Sequence, residues 1–167
     1  SDSGPGTEAQ PYCTINAAVD ERGGPGVTIV VKPGIYPERV TISASGGPGS
    51  PLAIMSAAGG VVVDGADDFT SPSQWEPFSG DVWLAAAVNW GPRQVFLDGA
   101  RIDSSGAAPG ALPARSYCYV PGSGLYVHAG GGNPAAHQAR VGRRENGFSL
   151  YAVSWVTIDG FTVTRTE

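Results

Sequence analysis

The chain has 167 residues, a length that suits one domain or part of a larger one. Only 15% of residues are charged, the net charge is −5, and Lys32 is the sole lysine. That balance excludes the basic stripe needed for nucleic-acid binding and counts slightly against a polyanionic partner, and no run of about 18 apolar residues marks a transmembrane helix.

The chain opens with Ser1-Asp2-Ser3-Gly4-Pro5-Gly6. This looks like a mature end left after processing, although a cloning boundary would look the same. The stretch from Pro11 to Val19 follows, with Ile15, Ala18 and Val19 at helical spacing and Thr14 or Asn16 placed to cap. It predicts a short helix that covers the open end of whatever sheet comes next.

A strand phrase then recurs. It reads Val27 to Val31, Arg39 to Ile42, Leu52 to Met55 and Val61 to Val63, each a few β-branched or apolar residues closed by Gly, Pro or Asp-Gly. Pieces this short cannot bury a face alone and must stack on copies of themselves. Their rhythm suits a parallel β-helix coil, with an antiparallel sandwich as rival. Residues 1–66 are therefore read as an N-terminal cap and first coils.

The rhythm breaks over 67–142. Val95 to Arg101, folded at Asp98-Gly99, and Leu125 to His128 read as antiparallel hairpins of an insertion. The phrase resumes over 143–167, as Phe148 to Tyr151 and Trp155 to Val163, and the chain stops in mid-pattern. An uncapped stack exposes unpaired edges, so the expectation is an N-terminal piece of something longer.

Candidate chemistry is sparse. Asp64, Asp67 and Asp68 are the densest acidic cluster and weak candidates for Ca²⁺, which wants six to eight oxygens; turn chemistry is the stronger reading. Asp98-Gly99 and Asp159-Gly160 are read as turns. Arg143 and Arg144 offer guanidinium forks to an acidic sugar, against an internal salt bridge with Glu145. Trp75, Trp83 and Trp90 could stack on sugar rings or pack between hairpin and sheet, and Trp155 is read as structural. His128 and His137 lack the spacing of a zinc site, and no serine elbow or phosphate loop is present. Cys13 and Cys118 could form a disulfide that closes a long loop or remain two buried thiols.

In order, Pro11 to Val19, Val30 to Val40 with Lys32-Pro33-Gly34, Ser45-Gly46 with Pro51 to Ile54, and Val63-Asp64-Gly65 resemble the N-terminal part of secreted right-handed parallel β-helix proteins, the pectate-lyase-like superfamily. The region of Trp75 and Trp83, Gln94 to Gly99, Leu125 to Val127, and Asn133-Pro134 with His137 look like its carbohydrate-active members, the polysaccharide lyases and β-xylosidase-type glycoside hydrolases. The resemblance implies an all-β fold, a right-handed parallel β-helix with a short capping helix and a hairpin-rich insertion. It implies secretion, a polysaccharide or oligosaccharide substrate, and catalytic residues on later coils absent from this chain. Arg143, Arg144, Trp75 and Trp83 are the substrate-binding candidates, and no cofactor beyond a possible Ca²⁺ is implied. The extracellular setting also favours the Cys13–Cys118 disulfide. Two other functions remain: a non-catalytic module that pairs through its exposed edge with a partner chain, and a sandwich-type carbohydrate-binding domain.

Overall fold

The computed structural model describes Asp2 and residues 4–167; Ser1 and Ser3, part of the stretch read as a processed end, lie outside the described residues. One helix, α1 (Ile15–Arg22), precedes strands β1 (Thr28–Val31), β2 (Gly34–Tyr36), β3 (Val40–Ile42), β4 (Leu52–Ser56) and β5 (Val61–Asp64). Next come β6 (Ala66–Asp68), β7 (Glu76–Ser79), β8 (Val82–Ala85), β9 (Val95–Leu97), β10 (Ala100–Ser104), β11 (Ser116–Val120), β12 (Gly124–His128) and β13 (Arg140–Gly142). The last strands are β14 (Phe148–Leu150), β15 (Val156–Asp159) and β16 (Phe161–Thr164). The chain divides into two compact units, Ser1–Gly65 with Arg144–Thr166, and Ala66–Arg143 with Glu167.

In the first unit all strand pairing is parallel. The sheets run β1-β4-β15, β14-β3 and β16-β5-β2. Alternation puts Val40, Ile42, Leu52, Ile54, Val61 and Val63 into one core, all of them at most 1% exposed. Helix α1 adds Ile15 and Val19 to that core. Its start is fixed twice over. The Thr14 hydroxyl accepts the Ala17 N–H at 3.2 Å, and the Glu38 carboxylate accepts the N–H groups of Ile15 and Asn16 at 2.8 and 2.9 Å. These are donors that a helix cannot satisfy internally, and a carboxylate there also suits the helix dipole.

The second unit is built on an eight-stranded sheet, β6-β13-β9-β10-β11-β12-β8-β7, antiparallel at every pairing except β10 with β11. One face supplies Ala85, Val95, Leu97, Ile102, Tyr117, Leu125, Val127 and Val141 to a single core, so the sheet curls round it as a half-barrel. The other face of β8, β11 and β12 carries a smaller cluster of Val82, Leu112, Cys118 and Tyr126.

The expectation of a right-handed parallel β-helix is therefore corrected. Apart from β10 with β11, parallel pairing is confined to short sheets, and the largest sheet is mixed and mainly antiparallel. The reason is local. At Asp98 and Gly99, with φ of 53° and 77°, a two-residue turn sends β9 straight back as β10. Such a turn admits only antiparallel neighbours, whereas parallel ones need a long crossover. No disulfide joins the cysteines either. Cys118 is buried in its sheet, while Cys13 is exposed ahead of α1, and both are thiols.

Candidate functional site

The three acidic candidates do not converge. Asp64 ends β5, and its carboxylate takes the Arg165 guanidinium. Asp67 meets Arg143 at 2.9 Å and Asp68 meets Arg140 at 2.8 Å. Adjacent residues of a strand point to opposite faces, which separates Asp67 from Asp68. Among the described residues no group of three acidic, histidine or cysteine side chains is placed to hold a metal ion, so the Ca²⁺ reading has no built site.

The sugar-binding candidates are likewise dispersed. Trp75 is 4% exposed, packs edge-on to Phe69 and donates its indole N–H to the Phe69 carbonyl at 2.9 Å. Its ring is core and offers no face to a ligand. Trp83 is half-buried against the same core. Arg143 lies over the Trp90 ring, 4.6 Å from its centroid, with Asp67 on its guanidinium. Arg144 is half-buried in the first unit, where its N–H donates to Gly65. The stacking partner for Arg143, Trp90, is locked by its own indole bond to the Gly142 carbonyl at 2.7 Å. Trp155, read as structural, is 57% exposed; its φ of 59° puts it in a turn before β15.

A cavity of the first unit lies elsewhere. A groove of about 710 Å³ runs between β1, α1 and the N-terminal segment, within the range of small-ligand sites. Its apolar lining includes Val27, Ile29, Val30 and Val31, and its polar lining includes Glu8, Tyr12, Thr14, Arg22, Lys32 and Tyr36. The N-terminal segment is drawn across as a strap. Arg22 donates to the Pro5 carbonyl at 3.0 Å and to the Tyr12 hydroxyl at 3.1 Å. Lys32 donates to the Glu8 carbonyl at 2.9 Å. Asp2 anchors the segment by accepting the N–H groups of Cys13 and Thr14 at 2.7 and 3.0 Å. Gly6, at φ 69°, lies flat on Tyr12, where any Cβ would fall inside the ring.

Tyr36 donates its hydroxyl to the Lys32 carbonyl at 2.9 Å. Burial, and then the nearby Glu38, push its phenol above the ordinary value, so it stays a donor. The groove thus combines an apolar lining, two tyrosines and two cations. Glu8 is the one carboxylate among its lining residues. Hydrolysis by the two-carboxylate route needs a pair. Sequence inspection passed over these residues, because bonds from Arg22 and Lys32 to backbone carbonyls leave no motif. The one available signal was the sole lysine, set two residues before a strand.

No family model matches the chain, and no curated protein matches it. Among solved structures, the complex of XylC with xylose matches 99% of this chain with a TM-score of 0.81 at 18% identity. The match takes in 34% of that protein, so this chain spans about a third of its length. At this identity the likeness is one of fold.

Proposed function

We propose that this chain is a carbohydrate-binding portion of a carbohydrate-active protein, and that it binds a neutral sugar in the groove between the strap and β1. The observation that carries the reading is the near-complete fold match to a protein solved with xylose. The groove supports it chemically. Sugar rings present apolar C–H faces to aromatic side chains and hydroxyls to charged donors, and Tyr12, Tyr36, Arg22 and Lys32 supply both.

The test is calorimetric titration of the chain with xylose and with xylo-oligosaccharides. A lone sugar in an open groove is expected to bind with a Kd on the order of 1 mM, about −4 kcal/mol. Tyr12→Ala should weaken binding about tenfold, a loss of roughly 1.4 kcal/mol, while Tyr12→Phe, which keeps the ring, should retain most of it. Absence of saturable binding, or binding indifferent to Tyr12→Ala, would overturn the assignment.

A further inference from the structure

The first unit is covered at one end and open at the other. At the covered end α1 packs on β1 and β3 and closes the core with Ile15 and Val19, 2% and 1% exposed. At the open end lie β14, β15 and β16, each the edge strand of its parallel sheet. Register makes the contrast quantitative. Val163 pairs with Val63, yet they are 46% and 0% exposed; Leu150 pairs with Ile42, yet they are 46% and 1% exposed. Val156, Ile158 and Phe161 pair with the fully buried Leu52, Ile54 and Val61 but are themselves only half-buried. Positions that face the core one layer down therefore present apolar side chains and unpaired strand edges here. No described residue lies over them in the way α1 lies over the other end.

We propose that this face docks a further polypeptide segment, which lays short strands in parallel on β14, β15 and β16 with β-branched or aromatic residues at alternate positions. Three observations select that occupant. The unpaired N–H and C=O groups of three edge strands call for backbone rather than for a small molecule or a helix. Every pairing already made by these strands is parallel and in register, so the next layer inherits the same alternation. The solved protein with this fold has a chain of which only 34% is matched here, so in that protein the fold adjoins much further polypeptide. The proposal concerns a different face from the sugar groove and does not rest on it.

The probe is a synthetic peptide with the sequence of residues 145–167, whose own alternation fits the layer beneath it. Backbone amide exchange of the intact chain is read with and without peptide, and sedimentation of the chain alone sets its association state. The expected result is a monomeric chain whose amides in 148–164 exchange about tenfold more slowly with the peptide bound, as when an opening edge becomes paired. Leu150→Lys and Val163→Lys, at exposed positions where the fold tolerates them, should abolish that protection, whereas Ile35→Lys on β2 should not. Unchanged exchange at saturating peptide overturns the proposal. So does self-association of the chain that both lysine variants disrupt, because the occupant would then be a second copy.

Discussion

Arg165 grips Asp64 with a fork: its Nε donates to both carboxylate oxygens, at 3.0 and 3.2 Å, and its Nη2 to the second. Asp64 is 1% exposed and Arg165 about a quarter exposed, so the pair closes the end of β5 against water. The bond to Asp64, partly offset by burial, holds the guanidinium above its ordinary value. Arg165 is thus charged at every working pH.

Breaking a buried pair by removing one partner costs about 3–5 kcal/mol. Arg165→Ala should lower the unfolding free energy obtained from urea titration by an amount of that order. Arg165→Lys should recover little, because an ammonium cannot reproduce the fork. If Arg165→Ala lowers the unfolding free energy by less than about 1 kcal/mol, within the range of exposed pairs, the pair is not a structural bond.

Gly46 carries a second prediction. Its carbon lies so close to the Trp155 carbonyl and the Leu52 nitrogen that an added Cβ would overlap both. Those two atoms form the bond at 2.9 Å that starts the pairing of β15 with β4, and Gly46 itself donates to Ser154 at 3.0 Å. Gly46→Ala must therefore push strand from strand, and a cost of about 1–3 kcal/mol is expected for such overpacking. Gly49→Ala makes the comparison. Nothing lies within 4 Å of the Cβ it would add, although its φ of 71° carries a strain of its own. Amide exchange at Leu52 should quicken in Gly46→Ala and not in Gly49→Ala.

The recurring strand phrase was a legible signal because alternation is a local property. Leu52, Ile54, Val61 and Val63 all stand inward as their spacing requires. The turn at Asp98-Gly99 was legible for the same reason. The sheet assembled from these hairpins was not. Strand β13 joins it by pairing Arg140 with both Asp68 and Phe96, residues far off in the chain with no shared pattern. Trp155 misled because its neighbours spell a strand, and a single positive φ turns it outward. The aspartates Asp64, Asp67 and Asp68 are dense in the sequence alone. Closeness along the chain does not bring side chains together when a strand alternates and each carboxylate has an arginine brought by the fold.

The cysteines give a third prediction. Cys118 is 8% exposed, and burial pushes its thiol above the ordinary value. The thiolate is the reactive form, so Cys118 should resist a thiol reagent in the folded chain. Cys13 is exposed and should react at once. Titration is expected to show one fast equivalent in buffer and a second on adding denaturant. Two fast equivalents would contradict the burial of Cys118, and none before reduction would restore the disulfide.

Acid should destabilise the chain through a small set of carboxylates. At Asp68, burial works against ionisation, but the Thr70 hydroxyl and N–H and then Arg140 outweigh it, and the carboxyl lies below its ordinary value. Asp2 is also lowered, chiefly by the N–H of Thr14 and then by that of Cys13. For a lowered carboxyl the unfolded chain binds the proton first. The stabilisation is therefore fully present above the unfolded value of about 4 and is lost as pH falls through the lower folded value. The urea midpoint should stay level from these two groups between about pH 7 and 5 and fall below about pH 4. Thr70→Ala removes the hydroxyl at Asp68 and should make that fall shallower, since less of the shift remains to be lost. Asp68→Asn should flatten it further. A decline as steep in Asp68→Asn as in the parent chain would show that the acid sensitivity comes from other carboxylates.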